Sequence, residues 1–276
     1  MVSVASLKGS RVALLEARMS GELAAMVERF GGTPYSVPAV RETPLQQPEE
    51  TGAFLDALCG DRFAVVVLMT GVGVTALLRE AEGLGRLEAA LAALRKTLTV
   101  CRGPKPVSVL RRNDVPVGIT AAEPHTTTEV LQALESVDVA GKAVAFVHYG
   151  ERNETAADGL RARGAVVDEI CLYEWRLPDD VAPLERLVEE IIAGRVDAMA
   201  ITSQIQCRHL FQIAGAMGKS AALTDALNGK VVVAAVGPVC ASALRSFGVI
   251  PHVQPPHPKM GPMIIALADY FELTGR

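Results

Sequence analysis

The chain has 276 residues, half of them hydrophobic and 21% charged, with a formal net charge of −4 at pH 7. That length suits two domains with a sizeable core each, and the composition leaves no room for a long disordered tail. An acidic chain without a Lys/Arg run argues against a nucleic-acid surface, and its apolar runs are too short to span a bilayer. The opening residues 1–10 carry no apolar leader stretch, and the five cysteines (Cys59, Cys101, Cys171, Cys207, Cys240) form no C-x-x-C pair. The expectation is a cytoplasmic protein with reduced, mostly buried thiols.

In chain order, short apolar runs at 12–15, 65–68, 97–100, 144–147, 199–202 and 231–236 read as strands buried on both faces. Each is followed by a helical pattern, at 22–30, 74–80, 107–112, 156–163, 207–214 and 240–247. Gly31-Gly32, Gly164 and Gly248 act as C-terminal stops. Strand-then-helix alternation implies parallel sheets with right-handed crossovers. Two segments break the rhythm. Residues 33–50 carry four prolines (Pro34, Pro38, Pro44, Pro48), and residues 168–183 end in Pro178 and Pro183. Both begin extended and read as paired linkers.

The chain is one unit written twice. Arg102-Gly103-Pro104 through Leu110-Arg111 recurs as Val236-Gly237-Pro238 through Leu244-Arg245, and the run from Val65 to Thr70 answers that from Ala198 to Ser203. A long repeat in two copies predicts two similar α/β domains with a cleft between them for a ligand. From the repeat alone, a simple tandem and a chain that crosses twice fit equally.

The order of motifs resembles the uroporphyrinogen-III synthase family over essentially the whole chain. The carrying segments are Thr70-Gly71-Val72-Gly73-Val74, Gly103-Pro104, Gly150 after a strand, and Arg163-Gly164-Ala165-Val166-Val167 leading to Leu172-Tyr173 and Pro178. With them go Val196-Asp197-Ala198 running into Thr202-Ser203, and Val236-Gly237-Pro238 leading to Ala243-Leu244 and Gly248-Val249. The resemblance implies two similar doubly wound parallel-sheet domains joined by a two-stranded linker, the chain crossing twice. Domain 1 would comprise 1–40 plus 176–276 and domain 2 43–170, with linkers at about 35–42 and 168–178.

It also implies an activity. The family closes hydroxymethylbilane, a linear tetrapyrrole, into uroporphyrinogen III with inversion of ring D and loss of water, without metal or organic cofactor. The sequence has neither a dinucleotide fingerprint, since Gly71-x-Gly73 lacks the third glycine, nor a Walker lysine. His148, His209, His252 and His257 fall in different elements, and Cys207-x-His209 offers only two ligands. Other implied expectations are a monomer, transient contact with the enzyme that makes hydroxymethylbilane, and no nucleic-acid or membrane partner. A diverged tetrapyrrole-binding or sensor protein of the same bilobal fold is the alternative.

The implied substrate carries eight carboxylates and passes through an azafulvene cation. Strand-to-helix turns present free backbone N–H groups and the positive end of a helix dipole. Four such turns are candidates: Thr70, Gly71, Val72 and Gly73; Gly103 and Lys105; Ser203, Gln204 and Ile205; Gly237 and Val239. For any one turn alone, helix capping by Thr70 or Ser203 is the favoured reading; for all four together, anion cradles are the better one. Gly150 and Arg18 match family binding positions, while His148 and Tyr149 would at most line the site. Tyr173 matches the family's linker tyrosine, proposed to assist departure of the hydroxyl as an acid; packing beside Trp175 is its plain reading. Val239 and Cys240 stand where the family often has threonines, so a hydroxyl contact is expected to be lost there, with Lys105 supplying charge in the other copy.

Overall fold

The computed structural model describes residues 5–275. Its elements are β1 (Arg11–Leu14), α1 (Ser20–Arg29), β2 (Thr33–Ser36), β3 (Arg41–Pro44), α2 (Pro48–Cys59), β4 (Val65–Leu68), α3 (Gly71–Gly83), α4 (Leu87–Lys96), β5 (Leu98–Cys101), α5 (Pro104–Arg112), β6 (Ile119–Thr120) and α6 (Thr127–Leu134). Then come β7 (Ala143–Val147), α7 (Glu154–Arg161), β8 (Val166–Ile170), β9 (Tyr173–Arg176), α8 (Ala182–Ile192), β10 (Ala198–Ile201), α9 (Gln204–Ala216), α10 (Ser220–Gly229), β11 (Val232–Ala235), α11 (Pro238–Ser246) and α12 (Met260–Thr274). Proline sits in the first turn of α2, α5, α8 and α11, where its missing N–H costs no helical bond.

The chain divides into two compact units, Met1–Arg41 with Arg176–Arg276, and Glu42–Trp175. The first unit holds a four-stranded sheet ordered β11-β10-β1-β2, the second a five-stranded sheet ordered β6-β5-β4-β7-β8; β3 and β9 form a two-stranded ladder. All pairings in the two larger sheets are parallel. Alternation along each strand explains why both faces are covered. In the first unit, Ala13, Met199 and Val233 pack against α8, α9, α10 and α11, while Val12, Ala198 and Val232 face α1 and α12. In the second, Val66, Leu68 and Ala145 face α2, α3, α4 and α5, and Val65, Val67 and Phe146 face α6 and α7. Both are doubly wound α/β units, the fold class expected.

The stretches read as linkers start inside the sheets. Residues 35 and 36 belong to β2, which pairs with β1, and residues 168–170 belong to β8, which pairs with β7. Both are edge strands with half-exposed residues, so they lack the continuous apolar run that marks the central strands. Pro34 is tolerated because an edge strand leaves one row of N–H groups unpaired. Four of the five cysteines are buried and all five are free. Among the described residues no helix is long and apolar enough to cross a membrane.

Candidate functional site

In the second unit the strand order reverses between β4 and β7, and such a switch point opens a crevice at the carboxyl ends of the strands. Thr70 leaves β4 in an extended conformation and caps α3, its Oγ1 accepting from the Gly73 N–H at 3.0 Å. The same oxygen lies 3.0 Å from the hydroxyl of Tyr173, the first residue of β9. The Gly150 N–H also donates to that phenol oxygen. Burial pushes the phenol up to about 12 and the Glu42 carboxylate adds to this, against the lowering effects of Thr70, Gly150 and Arg102. Tyr173 is therefore neutral at pH 7 and carries its proton. Only 4% of the residue is exposed.

Gly150 closes the site from the β7 side. Its φ is +34°, and a Cβ there would overlap the indole of Trp175. The Trp175 backbone N–H donates to the Gly150 carbonyl at 3.2 Å, and the indole stands 6.3 Å edge-on from Tyr173 and 5.5 Å from Tyr149. Arg102, at the end of β5, extends its half-buried guanidinium to 5.1 Å from the Tyr149 ring centre.

His148 lies beneath this loop as a support, with no exposed surface, and does not line the site. Its Nδ1 accepts from the Asn153 N–H at 3.0 Å, so the proton sits on Nε2, 2.7 Å from Glu169. Asn153 in turn caps α7 and reaches Thr127 at 2.7 Å. Burial holds the His148 pKa below 6.5 despite the Glu169 carboxylate, and burial does the same for His209, whose Nδ1 is 2.7 Å from the Ala39 carbonyl. Histidines kept neutral by the fold add stability above their unfolded pKa, and this is lost as pH falls below it toward the folded value. The urea midpoint is expected to fall between pH 7 and pH 5.5, ahead of carboxylate titration, and to fall less in His148→Gln. A midpoint flat across that window in the unsubstituted protein would contradict the assignment.

The glycines in the turns are packed closely against neighbouring residues. A Cβ at Gly71 would come 3.0 Å from the Lys105 carbonyl oxygen, and one at Gly73 3.0 Å from that of His148. Gly103 faces the His125 ring at 3.1 Å, and Gly237 faces Pro258 at 2.8 Å. Val72 is half-buried and Lys105 exposed.

The first unit repeats the arrangement with different chemistry. Its switch point lies between β1 and β10, and there Glu16 accepts from the backbone N–H groups of Arg18 (3.2 Å) and Met19 (3.4 Å), from the Thr202 hydroxyl, and from Gln206 (3.2 Å). Burial raises its pKa, but these four hydrogen bonds outweigh that and hold it below the usual carboxylate value. Arg18 is exposed, Ser203 and Gln204 are half-buried, and Ile205 is buried. Ser203 occupies the N-cap position of α9 without a side-chain cap bond, unlike Thr70. Instead Gln206 accepts from the Thr202 N–H at 2.9 Å. Val239 is 42% exposed, whereas Cys240 is turned into the core and its thiol pushed up to about 12 by burial. A hydroxyl at 240 would point into that core, so only position 239 offers a side chain to the turn.

The structure thus brings Thr70, Gly73, Gly150 and Tyr173 together, with Gly71 packed on the β5–α5 turn that carries Gly103 and Lys105. Arg102 and the His148 support are additions from the structure. Among the described residues, no three His, Cys, Asp or Glu side chains are grouped to hold a metal.

The uroporphyrinogen-III synthase HemD family model matches residues 21–265. A Bacillus subtilis (strain 168) relative, Uncharacterized protein YjjA, is 32% identical over 269 residues, covering 96% of this chain and 97% of its own. A crystal structure of a mutant uroporphyrinogen III synthase from the extremely thermophilic bacterium Thermus thermophilus is 28% identical, with 97% of this chain and 100% of that one covered and a TM-score of 0.75. The uroporphyrinogen-III synthetase of Helicobacter pylori 26695, 12% identical with the same coverage, shares the fold at a TM-score of 0.57. Sequence and fold agree, and the chain belongs to the uroporphyrinogen-III synthase family.

Proposed function

We propose that the protein is a uroporphyrinogen-III synthase, a carbon–oxygen lyase of porphyrin and heme biosynthesis that closes hydroxymethylbilane with inversion of ring D. The observation that carries this reading is the neutral Tyr173 phenol, held by Thr70 and Gly150 at the switch point of the second unit. The carbon–oxygen bond of the hydroxymethyl group breaks with its electron pair on oxygen. Tyr173 supplies a proton, and water leaves. The Gly150 N–H, the Thr70 hydroxyl and the Arg102 charge then face the phenolate, fixed donors that need no rearrangement at the moment of reaction. Ring closure of the azafulvene cation releases a pyrrole carbon's proton, which restores the phenol.

Carboxylates of the substrate meet the backbone N–H groups of the turns at Thr70–Gly73, Gly103–Lys105, Ser203–Ile205 and Gly237–Val239, with Arg18 as a further contact. On this reading the protein works in the cytoplasm as a monomer, without metal or organic cofactor, nucleic acid or membrane. It takes a small linear tetrapyrrole in transient contact with the enzyme that makes it. The exposed Val239, where the family often has threonine, favours a second reading: a tetrapyrrole-binding protein without turnover.

Complementation separates the two. In a bacterial strain lacking its own synthase, expression of this chain is expected to restore heme-dependent growth and type III porphyrins. Well-expressed, folded protein that leaves the strain accumulating type I porphyrins would defeat the synthase reading.

A further inference from the structure

Among the described residues Arg102 is a half-buried cation without an acidic partner. Other arginines of the second unit meet carboxylates at its surface: Arg62 pairs with Asp168 at 3.1 Å, Arg152 with Glu50 at 3.1 Å, and Arg161 with Glu169. Arg102 is deeper, and no carboxylate pairs with it among the described residues. Burial lowers its pKa, and the groups acting on it electrostatically are two phenols, Tyr149 and Tyr173. Its backbone N–H is tied to the Leu68 carbonyl at 3.0 Å, which roots the side chain where β4 and β5 end. Its guanidinium lies over the Tyr149 ring. A desolvated cation is costly in a folded protein unless an anion joins it, and a cation–π contact compensates less than an ion pair does. The corresponding position of the other repeat carries Val236.

We propose that Arg102 is a carboxylate anchor: with the Tyr149 ring behind it, it binds one acidic side arm of the substrate beside the Tyr173 hydroxyl. The planar guanidinium suits a carboxylate's two oxygens, and fixing one arm orients the tetrapyrrole toward the phenol. The identity of the ligand rests on the proposed function; the missing counterion stands apart from it.

The test uses the full chain, its Arg102→Met and Arg102→Lys variants, and uroporphyrin III, the stable oxidised octacarboxylate, as probe. Fluorescence titration gives Kd at low and high salt, thermal melts give stability without probe, and turnover of hydroxymethylbilane is followed in parallel. Arg102→Met is expected to bind uroporphyrin III about 10- to 100-fold more weakly, as for a lost charge-assisted pair. Its affinity should also depend less on salt. Free of probe, it should melt about 2–4 °C higher, because an uncompensated charge is gone. Arg102→Lys should bind at an intermediate level, since the charge survives without the fork.

If the unsubstituted protein makes the type III isomer yet Arg102→Met binds the probe equally well, the anchor is overturned and the functional reading stands. Binding without turnover, with loss of binding in Arg102→Met, keeps the anchor and defeats the synthase reading. Absence of both binding and turnover in the unsubstituted protein overturns both.

Discussion

Replacing Gly150 by valine is expected to slow turnover up to about tens-fold, no more than removal of the phenol it holds, and to destabilise the protein by about 2–6 kcal/mol. Two costs add. The φ of +34° disfavours a β-branched residue, with strain of about 1–3 kcal/mol, and the new side chain would collide with the Trp175 indole, an overpacking cost of about 1–3 kcal/mol. Relief by moving the loop would carry the Gly150 N–H away from Tyr173 and withdraw a fixed donor from the phenol. Thermal melts and turnover on the same preparation check both halves. A variant that melts and turns over like its parent would show that the loop geometry is dispensable.

Tyr173→Phe is expected to slow the reaction several-fold to tens-fold while the product remains the type III isomer. General acid help sets an upper limit of about 10²–10⁴-fold on that loss, and folding of a reactive cation by fixed N–H groups, which supplies most of the rate, remains in the variant. Thr70→Val should slow the reaction similarly and cost about 0.5–2 kcal/mol of stability through the lost α3 cap. Because Thr70 is 3.0 Å from the phenol, the two losses should overlap, and the double variant should be little slower than the slower single one. Rates that multiply would separate the two hydroxyls. Complete loss of turnover in Tyr173→Phe would make the phenol, and not the N–H groups, the principal catalyst.

Bulky substitution of Gly71 or Gly237 is a poor probe of the proposed anion contacts, because Gly71 abuts the Lys105 backbone and Gly237 abuts Pro258. Such variants would disturb packing before they disturbed binding.

What the sequence made legible follows from burial. β4 is Val-Val-Val-Leu with every residue buried, so its apolar run announces a central parallel strand. β2 and β8 lie at sheet edges, and their half-exposed residues look like linker. The second helices between strands, α4 and α10, pass unnoticed when one helix per strand is expected, although α4 has a clear apolar face through Ala90, Leu91 and Leu94. At the site, Thr70 and Tyr173 stand out by motif, but their contact across 103 positions is a fact of the fold. His148 looks like lining because it follows a strand beside a glycine; only its bonds to Glu169 and Asn153 make it a support. Arg102 had one readable signal, an arginine where the other repeat places Val236. Its missing counterion is visible only in three dimensions.

The most direct measurement supplies freshly made hydroxymethylbilane to the purified protein, oxidises the products and separates the isomers. Spontaneous closure gives the type I isomer, so the protein's contribution is read as the share of type III above that background. A synthase yields a type III product whose share rises with protein concentration. Type I alone, at protein concentrations that still bind uroporphyrin III, would contradict the synthase reading.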